Sequence, residues 1–119
     1  MEKILRSTFS RTDIVIANGA NLSNAFDMRD FALLVVTMPA AWTAASIGFK
    51  VSPTKSGTFV PLYDDDGTLI QIDSPTADNA YTAPAGIAAG HWVKLWSQNG
   101  SGSDTNQAAE RTLTVSMKG

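Results

Sequence analysis

The sequence predicts an all-β fold, an antiparallel β-sandwich or jelly-roll-like barrel of roughly seven or eight short strands. Three observations carry this. Apolar side chains recur with a period of two, as on a half-buried strand. Clusters of Gly, Pro, Asn, Asp and Ser interrupt the apolar segments about every ten residues. No stretch sustains the 3.6-residue stripe of an amphipathic helix. The 119 residues suffice for a single domain spanning 1–119. Within it, residues 1–12 are expected to form an N-terminal arm or an edge strand, since the alternation of Ile4 and Arg6 against Leu5 and Phe9 is weak.

The elements follow in order. Ile14, Val15 and Ile16 open a short strand that stops at Asn18-Gly19, a dipeptide suited to tight turns. Residues 22–30 are polar and irregular, or one helical turn. The run FALLVVTM (31–38) ends at Pro39 and reads as a central strand covered on both faces. Residues 45–52 alternate, with Ile47, Phe49 and Val51 toward the core and Ser46, Gly48, Lys50 and Ser52 toward solvent or a partner. The strand at 59–63 contains Pro61, which restricts it to an edge or a bulge. It joins 68–72 through a hairpin turn at Asp64, Asp65, Asp66 and Gly67. Residues 73–84 are broken by prolines, with a short strand at Tyr81. The strand at 91–97 sets His91, Val93 and Leu95 on one face and Trp92, Lys94 and Trp96 on the other. Residues 98–109 are dense in Gly, Ser, Asn and Asp and read as a flexible loop. The final strand, RTLTVSM (111–117), turns Leu113, Val115 and Met117 inward.

Composition excludes several kinds of chemistry. With no cysteine there is no disulfide framework, thiolate metal site or cysteine nucleophile, and a single histidine excludes a multi-histidine metal centre. The nine Lys and Arg are scattered and the net charge is −2, so the basic stripe that a nucleic-acid backbone requires is missing. No apolar run approaches the ~20 residues that cross a bilayer, and no signal-peptide core is visible, so a soluble protein without a membrane partner is expected.

Each remaining candidate competes with a plainer role. Asp64, Asp65 and Asp66 could offer oxygens to a hard cation, but consecutive side chains on an extended chain diverge, and a solvated turn is preferred. His91 could join a Ser and an Asp, yet no nucleophile motif accompanies it, and a structural histidine is preferred. Gly100 and Gly102 lack the lysine and helix of a phosphate loop. The expectation is therefore no enzyme, no metal and no cofactor.

Trp92, Lys94 and Trp96, with Trp42 elsewhere in the chain, are the candidate contacts for a partner or a glycan. Either the two indoles of the 91–97 strand cover its outside, or they are the core and Val93 and Leu95 face outward; the second arrangement is preferred. In both, the strand is apolar on two faces, as 31–38 is. Two such strands suggest more apolar surface than one small core absorbs. Together with a charged fraction of only 17%, against about 25% in typical domains, they predict a homo-oligomer.

The segments NGANLSNAFDMRDF (18–31), MPAAWTAASIGFKVS (38–52), FVPLYDDDG (59–67), WVKLWS (92–97) and NQAAERTLTV (106–115) resemble small virion proteins of tailed bacteriophages. The resemblance implies a non-enzymatic β-sandwich that decorates or cements the capsid, with no catalytic residue to carry over. The expected partner is the major capsid protein or another virion protein, and a trimer is the favoured oligomer. The expected location is the capsid surface of the virion, after synthesis in the host cytoplasm. A place in the neck, tail or a fibre is the first alternative. A carbohydrate-binding module using the exposed tryptophans is the second.

Overall fold

The computed structural model describes residues 9–119. Eight of the twelve residues assigned to an arm or edge strand lie outside that range. The others open β1 (Phe9–Ile16), which is an edge strand. The remaining strands are β2 (Phe26–Asp27), β3 (Leu33–Thr37), β4 (Ser46–Ser52), β5 (Val60–Pro61), β6 (Gln71–Ile72), β7 (Ala80–Thr82), β8 (Trp92–Gln98) and β9 (Arg111–Lys118), with a 3-10 turn at Ala85–Ala89.

The chain pairs with itself from its ends inward. β1 pairs with β9, β2 with β8, β3 with β7, and β4 with both β5 and β6, all antiparallel. This ribbon then wraps on itself, so that β9 also pairs with β3 and β8 with β4. The result is two sheets, ordered β1-β9-β3-β7 and β2-β8-β4-β5, with β6 beside β5 on the same side of β4. That is jelly-roll connectivity, and the all-β sandwich read from the sequence is the fold. Because β5 and β6 share one position, nine short strands fill the eight places of the sandwich.

The alternation in the sequence explains which residues lie between the sheets. In β9, Leu113, Val115 and Met117 are buried, in β1 Ile14 and Ile16, in β3 Leu34 and Val36, in β4 Ile47 and Phe49, and in β8 Val93 and Leu95. Burying each such side chain contributes about 1.5–3 kcal/mol. Phe26 and Met28, beside β8, close one end of this cluster, and Ile70, Ile72 and Ile87 extend it.

The Asp64-Asp65-Asp66-Gly67 turn forms as expected. The Gly67 N–H donates to the Asp64 carbonyl at 3.0 Å and the Asp64 N–H to the Thr68 carbonyl at 2.7 Å. Gly67 takes φ +86°, which a residue with a Cβ adopts only under strain. The hairpin leaves β4 at Leu62, whose N–H meets the Phe49 carbonyl at 2.9 Å, and returns at Gln71 opposite Gly48. Pro61 sits on the outermost strand, where its missing donor costs nothing.

Two expectations about faces are corrected. β3 is flanked by strands on both sides, but only one of its faces is covered: Leu33 is 57% exposed and Thr37 is exposed. No layer lies over that side of the sheet among the described residues, so the continuous apolar run reflects an uncovered Leu33 rather than double burial. Conversely, the outer face of β4 is not free. Ser46, Gly48 and Ser52 are buried there: Ser46 Oγ bonds Asp73 and Ser74, Trp96 and Gln98 lie against Gly48, and Ser52 Oγ accepts the Thr54 N–H from the turn that follows it.

Replacing Leu113 by Ala is expected to cost about 2–5 kcal/mol in urea denaturation. Thr112→Ala, one residue away on the outer face of β9, should stay within about 0.5 kcal/mol. Equal losses at both positions would contradict the assigned faces.

Candidate functional site

The outer face of the β2-β8-β4-β5 sheet gathers the aromatic and basic side chains singled out in the sequence. Cross-strand register places Trp92 opposite Ser52, Lys94 opposite Lys50 and Trp96 opposite Gly48. Val93 and Leu95 point the other way, fully buried between the sheets. The preferred sequence assignment, with the indoles as the core between the sheets, is therefore reversed.

Trp96 is nevertheless only 2% exposed. Its cover is built by its own chain. Gly48 lies beneath the ring: a Cβ there would come within 2.8 Å of Trp96 Cε3. Above it, Asp104 Oδ1 accepts the indole N–H at 2.8 Å, and Lys50 Nζ stands 4.6 Å from the ring centroid. A Cβ at Gly102 would sit 3.5 Å from the Tyr63 hydroxyl and 3.9 Å from Trp96 Cη2, so loop and hairpin meet over the ring.

The 98–109 segment, expected to be flexible, is tied down by hydrogen bonds. Gln98 is fully buried; its Oε1 accepts from the Gly100 and Gly102 N–H groups at 2.6 and 3.1 Å, and its Nε2 donates to Gln71 Oε1 at 2.6 Å. Asn99 Oδ1 accepts from the N–H groups of Ser101 and Ser103. Gln107, 1% exposed, accepts from the Thr43 N–H at 2.9 Å and from Arg111 Nε at 3.1 Å, and donates to the Thr43 carbonyl and Ser97 Oγ. Buried amides so fully partnered fix a loop that its composition reads as loose. The signal available in the sequence was the pair of glutamines bracketing the Gly/Ser run.

Trp92 is half-buried and stacks on His91, with ring centroids 5.9 Å apart, while Lys55 Nζ lies 5.6 Å from its centroid. Lys94 Nζ lies 4.6 Å from the centroid of the Phe59 ring, an aromatic whose place on this face its sequence spacing does not reveal. Three lysines thus rest on three aromatic rings, an arrangement that stabilises each cation by about 0.5–1 kcal/mol where exposed. Trp42 is not part of this face. It packs against the core cluster and donates its indole N–H to the Ala45 carbonyl at 3.1 Å.

The remaining candidates assemble no catalytic group. His91 Nε2 is buried with no hydrogen-bond partner, 4.0 Å from Asp27 Oδ1, and Asp27 is engaged by the Arg29 guanidinium at 2.7 Å. No serine hydroxyl is bonded to His91 among the described residues. The three turn carboxylates do converge, each offering an oxygen within 4.8 Å of the others, but all are exposed. Two of them serve the turn: Asp64 Oδ1 accepts from the Asp65 N–H and Asp66 Oδ1 from the Thr68 N–H. The Thr68 side chain and N–H hold the Asp66 carboxyl below its ordinary range. A cleft bounded by Ala44, Ala45, Ser46, Ser74, Pro75, Asn99 and Thr105 contains no titratable side chain.

No family model matches the chain, and no curated protein matches it in sequence. Among solved structures, it is similar to the crystal structure of the SPBc2 prophage-derived protein YomS, with 16% sequence identity and a TM-score of 0.54. The match covers 98% of this chain and 100% of that one, so the likeness is one of whole folds.

Asp104→Ala is expected to leave the Trp96 N–H unpaired, lowering stability by about 1–3 kcal/mol and shifting tryptophan emission to the red. Asp104→Asn, which retains an acceptor oxygen, should lose much less. An unchanged melting curve for Asp104→Ala would show that the loop does not hold Trp96 in place.

Proposed function

We propose that this chain is a structural protein of a tailed-bacteriophage particle, and specifically a decoration or cement protein bound to the major capsid protein shell. The observation that carries the proposal is the end-to-end fold likeness to a prophage-derived protein, 98% of one chain on 100% of the other. Two further points support it. Jelly rolls are a recurrent architecture of viral capsid domains. The described residues bring together no nucleophile, base and orienting group, so a non-enzymatic role fits the side chains present. On this reading the protein acts by covering and bridging neighbouring subunits on the capsid surface, after synthesis in the host cytoplasm.

The neck, tail or a fibre is the alternative position, and copy number distinguishes the two. The glycan-binding reading has less support, because Trp96 lies under its own loop and Trp42 packs on the core.

Quantitative mass spectrometry of purified particles tests the proposal. A decoration protein on a closed symmetric shell should appear on the order of hundreds of times per particle. About six or twelve copies would move it to the neck or tail. Absence from purified particles would overturn the virion role altogether.

A further inference from the structure

β1 is an edge of its sheet: β9 pairs with it on one side, and among the described residues no strand lies along the other between Phe9 and Ile14. The orientation of that edge can be read from one bond. The Val15 N–H donates to Asn24 Oδ1 at 2.8 Å, on the side away from β9 where Ser23 bridges Ile16. In an antiparallel strand the N–H and C=O of one residue point the same way, and alternate residues share that direction. Phe9, Arg11 and Asp13 therefore turn their backbone donors and acceptors toward the open edge. Their side chains lie on the outer face, in register with Lys118, Ser116 and Thr114 of β9.

We infer that a second copy of this chain pairs with β1 across this edge, antiparallel and two-fold symmetric about Thr12, joining two four-stranded sheets into one. The register follows from the side chains. Symmetry about Thr12 sets Arg11 opposite the partner's Asp13 and Asp13 opposite the partner's Arg11, and the pairing ends before Val15, whose N–H is held by Asn24. A slip by two residues in either direction brings Arg11 against Arg11 or Asp13 against Asp13, and like charges directly opposite one another destabilise a strand pair. A slip by one residue sets the outer face of one strand against the inner face of the other.

Three features of the monomer suit this occupant. Neither Arg11 nor Asp13 has an ion-pair partner among the described residues; Asp13 accepts only the Thr114 hydroxyl, at 2.7 Å. Phe9 is 65% exposed at the end of the same strand. Arg11, Thr12, Asp13 and Thr114 line an open cleft. A long bare edge is a liability that folded proteins cover, blunt or use for pairing, and a self-complementary charge pattern restricts pairing to one partner and one register. This inference is independent of the virion assignment.

A single strand pair is a small interface, below about 1,200 Å² in total, so a weak and reversible dimer is expected. Sedimentation equilibrium of the full chain up to about millimolar concentration reads it out. Arg11→Asp and Asp13→Arg should each weaken dimerisation by about tenfold or more, since each sets like charges opposite one another at both symmetric contacts. The double variant, with both charges exchanged, should return to within about threefold of the original affinity. Circular dichroism on all three confirms the fold. A monomer at every concentration overturns the inference. So does a trimer, or a double variant as weak as the single ones.

Discussion

The molecule is organised around the burial of β8 on both faces. Val93 and Leu95 fill the space between the sheets, while Trp96 projects from the opposite face and is buried as completely. Burying an indole on the outside of a sheet requires a third layer over it, and this chain supplies one from its own loops. Gly48 is the first consequence: any side chain at that position would meet the Trp96 ring. The second is Asp104, because a buried indole N–H without an acceptor costs more than the bond itself contributes. The third is the hairpin that departs from β4 and brings Tyr63 toward Gly102 over the same ring.

A cover made of Gly, Ser, Asn and Asp has little apolar area of its own, so hydrogen bonds rather than packing must hold it. Gln98 and Gln107 do this from inside. Each is buried and uses both ends of its amide: Gln98 holds the loop backbone with its oxygen and Gln71 of β6 with its nitrogen, while Gln107 grips the Thr43 backbone with both ends. This also changes the meaning of the low charge. The sequence suggested an excess of apolar surface that only neighbouring subunits could cover. In the fold, much of that excess is covered internally, and neutral polar residues occupy the surface that charged ones would otherwise hold. Large apolar side chains left more than half exposed among the described residues are few, with Phe9 and Leu33 foremost. These two are brought into one row across β1, β9 and β3 by their common partner Lys118.

Strand faces were legible in the sequence wherever one side of a strand meets solvent. β9 and β1 follow simple alternation, and the acidic turn and the edge position of Pro61 follow from local backbone chemistry. The faces of β8 and β3 were not legible, because period-two reasoning assigns apolar residues to the interior and cannot tell an outer face covered by a loop from one left open. Trp96 and Leu33 are equally hydrophobic signals with opposite outcomes, decided by where a segment from elsewhere in the chain comes to rest. The candidate site was visible as residue types but not as an arrangement. Trp92, Lys94 and Trp96 share a face as their spacing requires, whereas the distribution of Lys50, Lys55 and Phe59 around them depends on cross-strand register.

That register carries a cost, since Lys50 and Lys94 stand directly opposite one another and like charges so placed repel. The pair persists because each ammonium is drawn to a different ring, Lys50 to Trp96 and Lys94 to Phe59. Attraction to an aromatic face survives in salt better than a surface ion pair and asks for no carboxylate nearby. The lysine stems meanwhile screen ring surface that would otherwise meet water. The basic character of this face is thus accounted for by the burial of the tryptophan and phenylalanine rings, without an anionic ligand. The β1 edge differs in this respect: Arg11 and Asp13 have neither a ring nor an ion partner within the described chain, Asp13 accepting only the Thr114 hydroxyl, and the pairing inferred above would set each opposite its counter-charge.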